Sequence, residues 1–76
     1  MSDAFEVVLK YPMNEFSAEK DDAIFAAAGR QSEWSGGGMG LRDIGWTCQT
    51  FEQAQELKCA LSPFGSATIR EAVTFD

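Results

Sequence analysis

The hydrophobic period of this chain switches between two and about 3.6 residues in a fixed order, and that order limits the folds open to it. From Ala4 to Tyr11, the residues Phe5, Val7, Leu9 and Tyr11 alternate with Glu6, Val8 and Lys10, the pattern of a half-buried strand, and Pro12 ends the run. Ser17 is placed as an N-cap, Glu19, Asp21 and Asp22 sit in the first turns where the helix dipole favours carboxylates, and Gly29 supplies a stop. A helix is therefore expected over Ala18 to Ala28. Its apolar stripe is Ile24, Phe25 and Ala28, widened by Ala18 and Ala27. A short second strand is expected over Gln31 to Ser35, carrying Trp34, and the run SGGGMG follows as a flexible hairpin. Ile44, Trp46 and Cys48 then alternate with Asp43, Gly45 and Thr47 as a third strand with one apolar face. Thr50-Phe51-Glu52-Gln53 fits a capping box. Beyond it Phe51, Ala54, Leu57, Ala60 and Leu61 recur at helical spacing to the break at Ser62-Pro63-Phe64-Gly65. The tail from Ala67 to Phe75 alternates again through Ala67, Ile69, Val73 and Phe75. Glu71 breaks that row, through a nearby bulge or a place at a sheet edge.

The order is strand, helix, strand, strand, helix, strand, with no linker, repeat or low-complexity segment, so residues 1–76 form one α+β domain. Two strand-helix-strand units with right-handed crossovers resemble the ferredoxin-like sandwich, an antiparallel sheet with both helices on one face. The apolar strand rows would face the helices. The other sheet face would carry Glu6, Val8, Lys10, Asp43, Thr47, Thr68 and Arg70 and be mostly polar.

At 45% hydrophobic residues the chain has the material for a core, although 76 residues leave little room for a deep active site besides it. Twelve acidic residues against six basic ones give a net charge of −6. Phosphate neutralisation dominates nucleic-acid affinity, so direct binding of DNA or RNA is not expected, and an anionic membrane would repel the chain as well. No apolar run approaches the ~18 residues of a membrane span, and MSDAFEVVLK has no basic stretch followed by an apolar one, so a cytoplasmic location is expected. Cys48 and Cys59 stand in no metal or redox spacing, and there is no His, so neither a metal nor another cofactor is expected.

Several chemistries lack their residues. A phosphate-binding loop needs its glycines between a strand and a helix N-terminus, whereas SGGGMGLRDIG leads into a strand without a following Lys. RNA-recognition modules, which the expected sandwich resembles, stack bases on aromatic side chains of the open face. The third strand offers Asp43, Gly45 and Thr47 there. Metal-carrying ferredoxin-like domains hold a Cys-x-x-Cys loop after the first strand, where this chain has Tyr11-Pro12-Met13-Asn14. An acylphosphatase-like enzyme would need an Arg in that loop, and none lies near Asn14. Arg42 and Asp43 are the remaining catalytic candidates, but successive strand residues point to opposite faces, so a salt bridge for Arg42 and an open-face position for Asp43 are expected. Cys48 has core parity and no base beside it.

The helices are expected to combine their outward rows into one acidic surface: Glu15, Glu19, Asp21 and Asp22 from the first helix region, Glu52 and Glu56 from the second, opposed by Lys20 and Lys58. In one reading these carboxylates only solvate the fold. In another they dock on the basic, nucleic-acid-binding surface of a partner protein, with Met39, Arg42 and Asp43 as a second contact edge. In size, acidity and expected fold the chain resembles the small inhibitors that bacteriophages encode against host defence, anti-CRISPR proteins among them. That resemblance implies a non-enzymatic inhibitor that competes with nucleic acid for its partner. The element order also resembles ACT-like regulatory domains, which self-associate or bind a small effector, although Pro12 and Asn14 stand where those domains usually have a glycine. A monomer or weak homodimer fits either. A small enzyme using Arg42 and Asp43 is the third alternative.

Overall fold

The computed structural model describes residues 4–72, so the expected tail positions Val73 and Phe75 lie outside the described residues. The elements in chain order are β1 (Ala4–Pro12), a 3-10 turn (Met13–Glu15), α1 (Ala18–Ala28), β2 (Trp34–Gly38), β3 (Leu41–Cys48), α2 (Phe51–Leu61), a second 3-10 turn (Ser62–Phe64) and β4 (Ser66–Ala72). The protein is α+β, with one four-stranded antiparallel sheet in the order β2-β3-β1-β4.

Both helices begin at the caps read from the sequence. The Ser17 hydroxyl accepts from the Lys20 N–H at 3.0 Å, and Thr50 Oγ1 accepts from the Gln53 N–H at 3.1 Å. The reciprocal bond of the second box is displaced by one residue: Gln53 Oε1 takes the N–H of Gln49, not that of Thr50. Helix α1 stops at Gly29, whose φ of 80° lets its N–H turn back onto Phe25 and Ala26.

One face of the sheet meets the helices. Val7, Leu9 and Tyr11 of β1 and Ile44, Trp46 and Cys48 of β3 form a single core with Ile24, Ala54, Leu57 and Leu61. Each large aliphatic side chain fully buried here contributes about 1.5–3 kcal/mol. Phe25 meets Trp46 edge-on, with ring centroids 6.4 Å apart. Within α1 only part of the expected stripe is inside: Ile24 is buried and Phe25 and Ala28 are half-buried, while Ala18 and Ala27 are exposed. A methyl group gains too little from burial to rotate the helix further.

The glycine run corrects the sequence reading. Gly36, Gly37 and Gly38 pair with Asp43, Arg42 and Leu41 as part of β2, so the strand lies three residues later than expected at both ends (34–38 against 31–35). The hairpin connection shrinks to Met39 and Gly40, both at positive φ (53° and 80°), as a two-residue primed turn requires. Glu71 stays in unbroken register opposite Phe5, on edge strand β4, so its exposure follows from the edge and not from a bulge.

The far face of the sheet holds one residue that the sequence reading did not place there. Trp34 stands opposite Gly45, and its indole occupies the space where a Cβ at Gly45 would fall. Trp34 Nε1 donates to Glu6 Oε2 at 3.0 Å, and the Arg70 guanidinium pairs with the other oxygen of that carboxylate. Beside this group Val8 is buried although it faces away from the helices.

Candidate functional site

Chain direction decides where the acidic residues go. β1 and β3 are antiparallel, α1 follows β1 and α2 follows β3, so the two packed helices start at opposite ends of the sheet. Glu19 and Asp22 therefore lie at the end where the β2–β3 hairpin turns, and Glu52 and Glu56 lie at the other end. All four are exposed, and none has an ion pair among the described residues. About 16 Å of helix separates the two ends, at 1.5 Å per residue over the 11 residues of each helix.

Asp21 has a different role from its neighbours. Its carboxylate takes Arg42 Nη2 at 2.7 Å and Nε at 3.3 Å, and it accepts the Tyr11 hydroxyl at 3.0 Å. The two charged side chains are only 14% and 16% exposed, so this pair belongs to the scaffold. Asp21 lies three residues before Ile24, on the buried side of α1, which is the signal in the sequence that separates it from Glu19 and Asp22. Burial first, and then the Asp21 hydrogen bond and charge, hold the Tyr11 phenol above its ordinary pKa of 10.0. The Arg42 guanidinium also covers the Phe16 ring, 4.7 Å from its centroid.

Glu15 is tied as well, to Lys20 Nζ at 2.9 Å, and the same ammonium lies 4.3 Å from the centroid of the Tyr11 ring. Arg42 and Asp43 are not brought together. Arg42 faces the helical layer with Tyr11, its cross-strand partner, while Asp43 faces the other way, opposite Lys10 and Gly36. Met39 is fully exposed at the turn.

Four large apolar side chains gather at this hairpin end. The Met13 N–H donates to the Gly40 carbonyl at 2.8 Å, and the Met13 methyl lies against Gly37. Leu41 pairs with Pro12, and Phe16 lies beneath Arg42. Among the described residues Met13, Phe16, Met39 and Leu41 are four of the five exposed large hydrophobic residues. They flank one hairpin end from both sheet faces, Met13 and Phe16 on the helical side with Arg42, Leu41 on the far side with Asp43, and Met39 at the turn. Of these, only Met39 was singled out in the sequence as a contact residue.

At the opposite end an open cleft of about 570 Å³ separates the last turn of α1 from the first turns of α2, with Cys48 and Thr47 in its lining. Arg30 stands at this cleft, but its Nη2 already donates to the Thr47 carbonyl and lies 3.8 Å from Cys48 Sγ. Its other terminal nitrogen, Nη1, faces Glu33 at 3.9 Å, and Trp46 Nε1 donates to its carbonyl at 3.3 Å. Glu33 in turn accepts the Thr47 N–H. Arg30 is thus the strut that ties the end of α1 to β3. Among the described residues no group of three or more His, Cys, Asp or Glu side chains is arranged to hold a metal ion, and no helix is long and apolar enough to cross a membrane. In comparisons with known proteins, no family model, curated protein or solved structure gives a match.

Proposed function

We propose that this chain is a non-enzymatic protein-binding module of ferredoxin-like fold, which presents carboxylates from its helical layer to a basic surface of a partner. The fold reading is supported by the β2-β3-β1-β4 order, which places β1 and β3 at the centre, with α1 crossing from β1 over β3 to β2, α2 crossing from β3 over β1 to β4, and a hairpin joining β2 to β3.

One observation carries the functional reading: the distribution of neutralised charge. Four of the six basic residues are spent on local pairs, Lys20 with Glu15, Arg30 with Glu33, Arg42 with Asp21 and Arg70 with Glu6. Glu19, Asp22, Glu52 and Glu56 are left on the helical layer without an ion pair among the described residues, with Lys58 the one unpaired cation beside Glu52 and Glu56. Within each pair, Glu19 with Asp22 at i,i+3 and Glu52 with Glu56 at i,i+4, the carboxylates repel each other, and a basic partner relieves that repulsion on docking. A groove that holds nucleic-acid phosphates has the required charge. The module then acts as a competitive inhibitor of such a partner, in the manner of anti-CRISPR proteins.

The test is affinity capture from a bacterial lysate at low and high salt, using the natural chain and a variant with Glu19, Asp22, Glu52 and Glu56 all changed to Lys. The expected result is salt-sensitive capture of a nucleic-acid-binding protein that disappears with the variant, while the melting temperature stays nearly unchanged. Capture that survives both high salt and the charge reversal rules the reading out.

A further inference from the structure

We infer that the hairpin end is a docking surface for an extended partner segment in which Lys or Arg alternates with large apolar residues, and that this segment adds to the free edge of β2. The inference rests on the reading of the helical carboxylates as partner-binding groups, and it names a separate surface and the chemistry of its occupant.

The exposed apolar side chains around the hairpin are the anchor, with Leu41 on the far face beside Gly38 and Met13 and Phe16 on the helical side. Met39 is fully exposed, Met13, Leu41 and Phe16 are 38%, 39% and 47% exposed, and the contacts of Met13 with Gly37 and Gly40 join the 3-10 turn to the hairpin. Flexible methionine side chains adapt to irregular apolar groups at little cost. Strand β2, which leads to this hairpin, is an edge, so its outward N–H and C=O groups have no ladder partner on that side among the described residues. The other edge, β4, carries Thr68, Arg70 and Glu71, and a charged edge discourages strand addition. On the far face of the sheet, Gly45 is covered by Trp34 from the neighbouring strand, whereas nothing lies within 4 Å of a Cβ at Gly36 or Gly38. An added strand has room to cover those two positions with bulky side chains, as Trp34 covers Gly45.

Charge selects the occupant. Lys20 and Arg42, the cations nearest the cluster on the helical side, are committed to Glu15 and Asp21, and on the far face Lys10 stands across the ladder from Asp43. The exposed Glu19 and Asp22 remain at this end. With a net charge of −6, a second copy of the chain is repelled and a basic segment is attracted.

The experiment titrates the 15N-labelled chain with capped peptides of about seven residues, long enough to span β2 at about 3.3 Å per residue. One alternates Lys and Leu, one alternates Glu and Leu, and one alternates Lys and Ser. The Lys-Leu peptide is expected to shift the amides of residues 35–41, to slow exchange of amides in β2, and to bind at least tenfold more weakly to the Met39→Asp/Leu41→Ser double variant. The Met39→Asp single variant serves if the double variant does not fold. Equal binding of the Glu-Leu or the Lys-Ser peptide overturns the inference, as do shifts confined to β4 or to the helices, the absence of binding, or sedimentation showing that β2 pairs two copies of the chain. If lysate capture falls on reversal of the helical carboxylates but no peptide binds at β2, this inference fails alone. If the peptide binds at β2 while capture ignores the helical charges, the functional reading fails alone.

Discussion

Arg42 grips Asp21 through two hydrogen bonds, Nη2 to Oδ2 at 2.7 Å and Nε to Oδ1 at 3.3 Å, and so ties β3 to the first turns of α1. Tyr11 donates to the same carboxylate. Changing Asp21 to Ala leaves a mostly buried guanidinium and a buried phenol without their acceptor. A loss of about 2–3 kcal/mol is expected. Urea unfolding of Asp21→Ala should show a lower midpoint at an unchanged slope; a change within about 0.5 kcal/mol would assign this pair the weight of a surface ion pair.

Tyr11 gives the fold a sensitivity to alkali. Its phenol holds its proton more tightly in the folded chain than in the unfolded one, so its contribution is complete below the ordinary pKa of 10.0. As the pH rises past that value, the unfolded chain releases the proton first, and stability falls until the raised folded-state value is passed. The Tyr11→Phe variant should start from lower stability at neutral pH, having lost the bond to Asp21, and should lack this component of the alkaline decline. Denaturant midpoints measured between neutral pH and about pH 11 compare the two slopes.

Gly45 is the seat of Trp34, and a methyl group there would overlap the indole. Gly45→Ala is expected to lift Trp34 off the sheet, break its bond to Glu6 and uncover Val8, at a cost of about 1–3 kcal/mol. Trp46 is completely buried, so a red shift in tryptophan emission in this variant reports Trp34. An unchanged spectrum would mean that the indole finds the same environment without the gap.

Met39 holds a left-handed backbone angle that favours Asn or Gly. Met39→Asn creates the Asn-Gly pair preferred in two-residue primed turns, and a gain of about 0.5–1 kcal/mol is expected in thermal or urea unfolding. The same variant should bind the Lys-Leu peptide less well than the natural chain. A side chain kept at the expense of turn stability is then one retained for contact.

The two helices were legible in the sequence because their signals are local. Ser17 and Thr50 cap within their own first turns, and the apolar spacing of α2 needs no knowledge of its neighbours. The second strand and its Trp34 were legible but its bounds were not, because glycines have no side chains to declare a period, and their place in the sheet is set by pairing with β3. The orientation of Trp34 was hidden for the same reason, since the gap that receives it belongs to another strand. The divergence of Arg42 and Asp43 followed from strand parity alone. The capture of Asp21 by Arg42 did not, because it joins residues from separate elements, although helical phase already placed Asp21 beside Ile24.

Trp34 and Trp46 lie on opposite sides of the same sheet, the first bonded to Glu6 and the second to the carbonyl of Arg30. The molecule thus carries two intrinsic optical gauges, one turned toward the helices and one toward the uncovered side. In Trp34→Phe the remaining emission follows the departure of the helical layer, and in Trp46→Phe it follows the fraying of β2 from β3. Coincident traces from the two variants during unfolding would mark a single cooperative unit, whereas an earlier Trp34 trace would identify the glycine strand as the part that opens first.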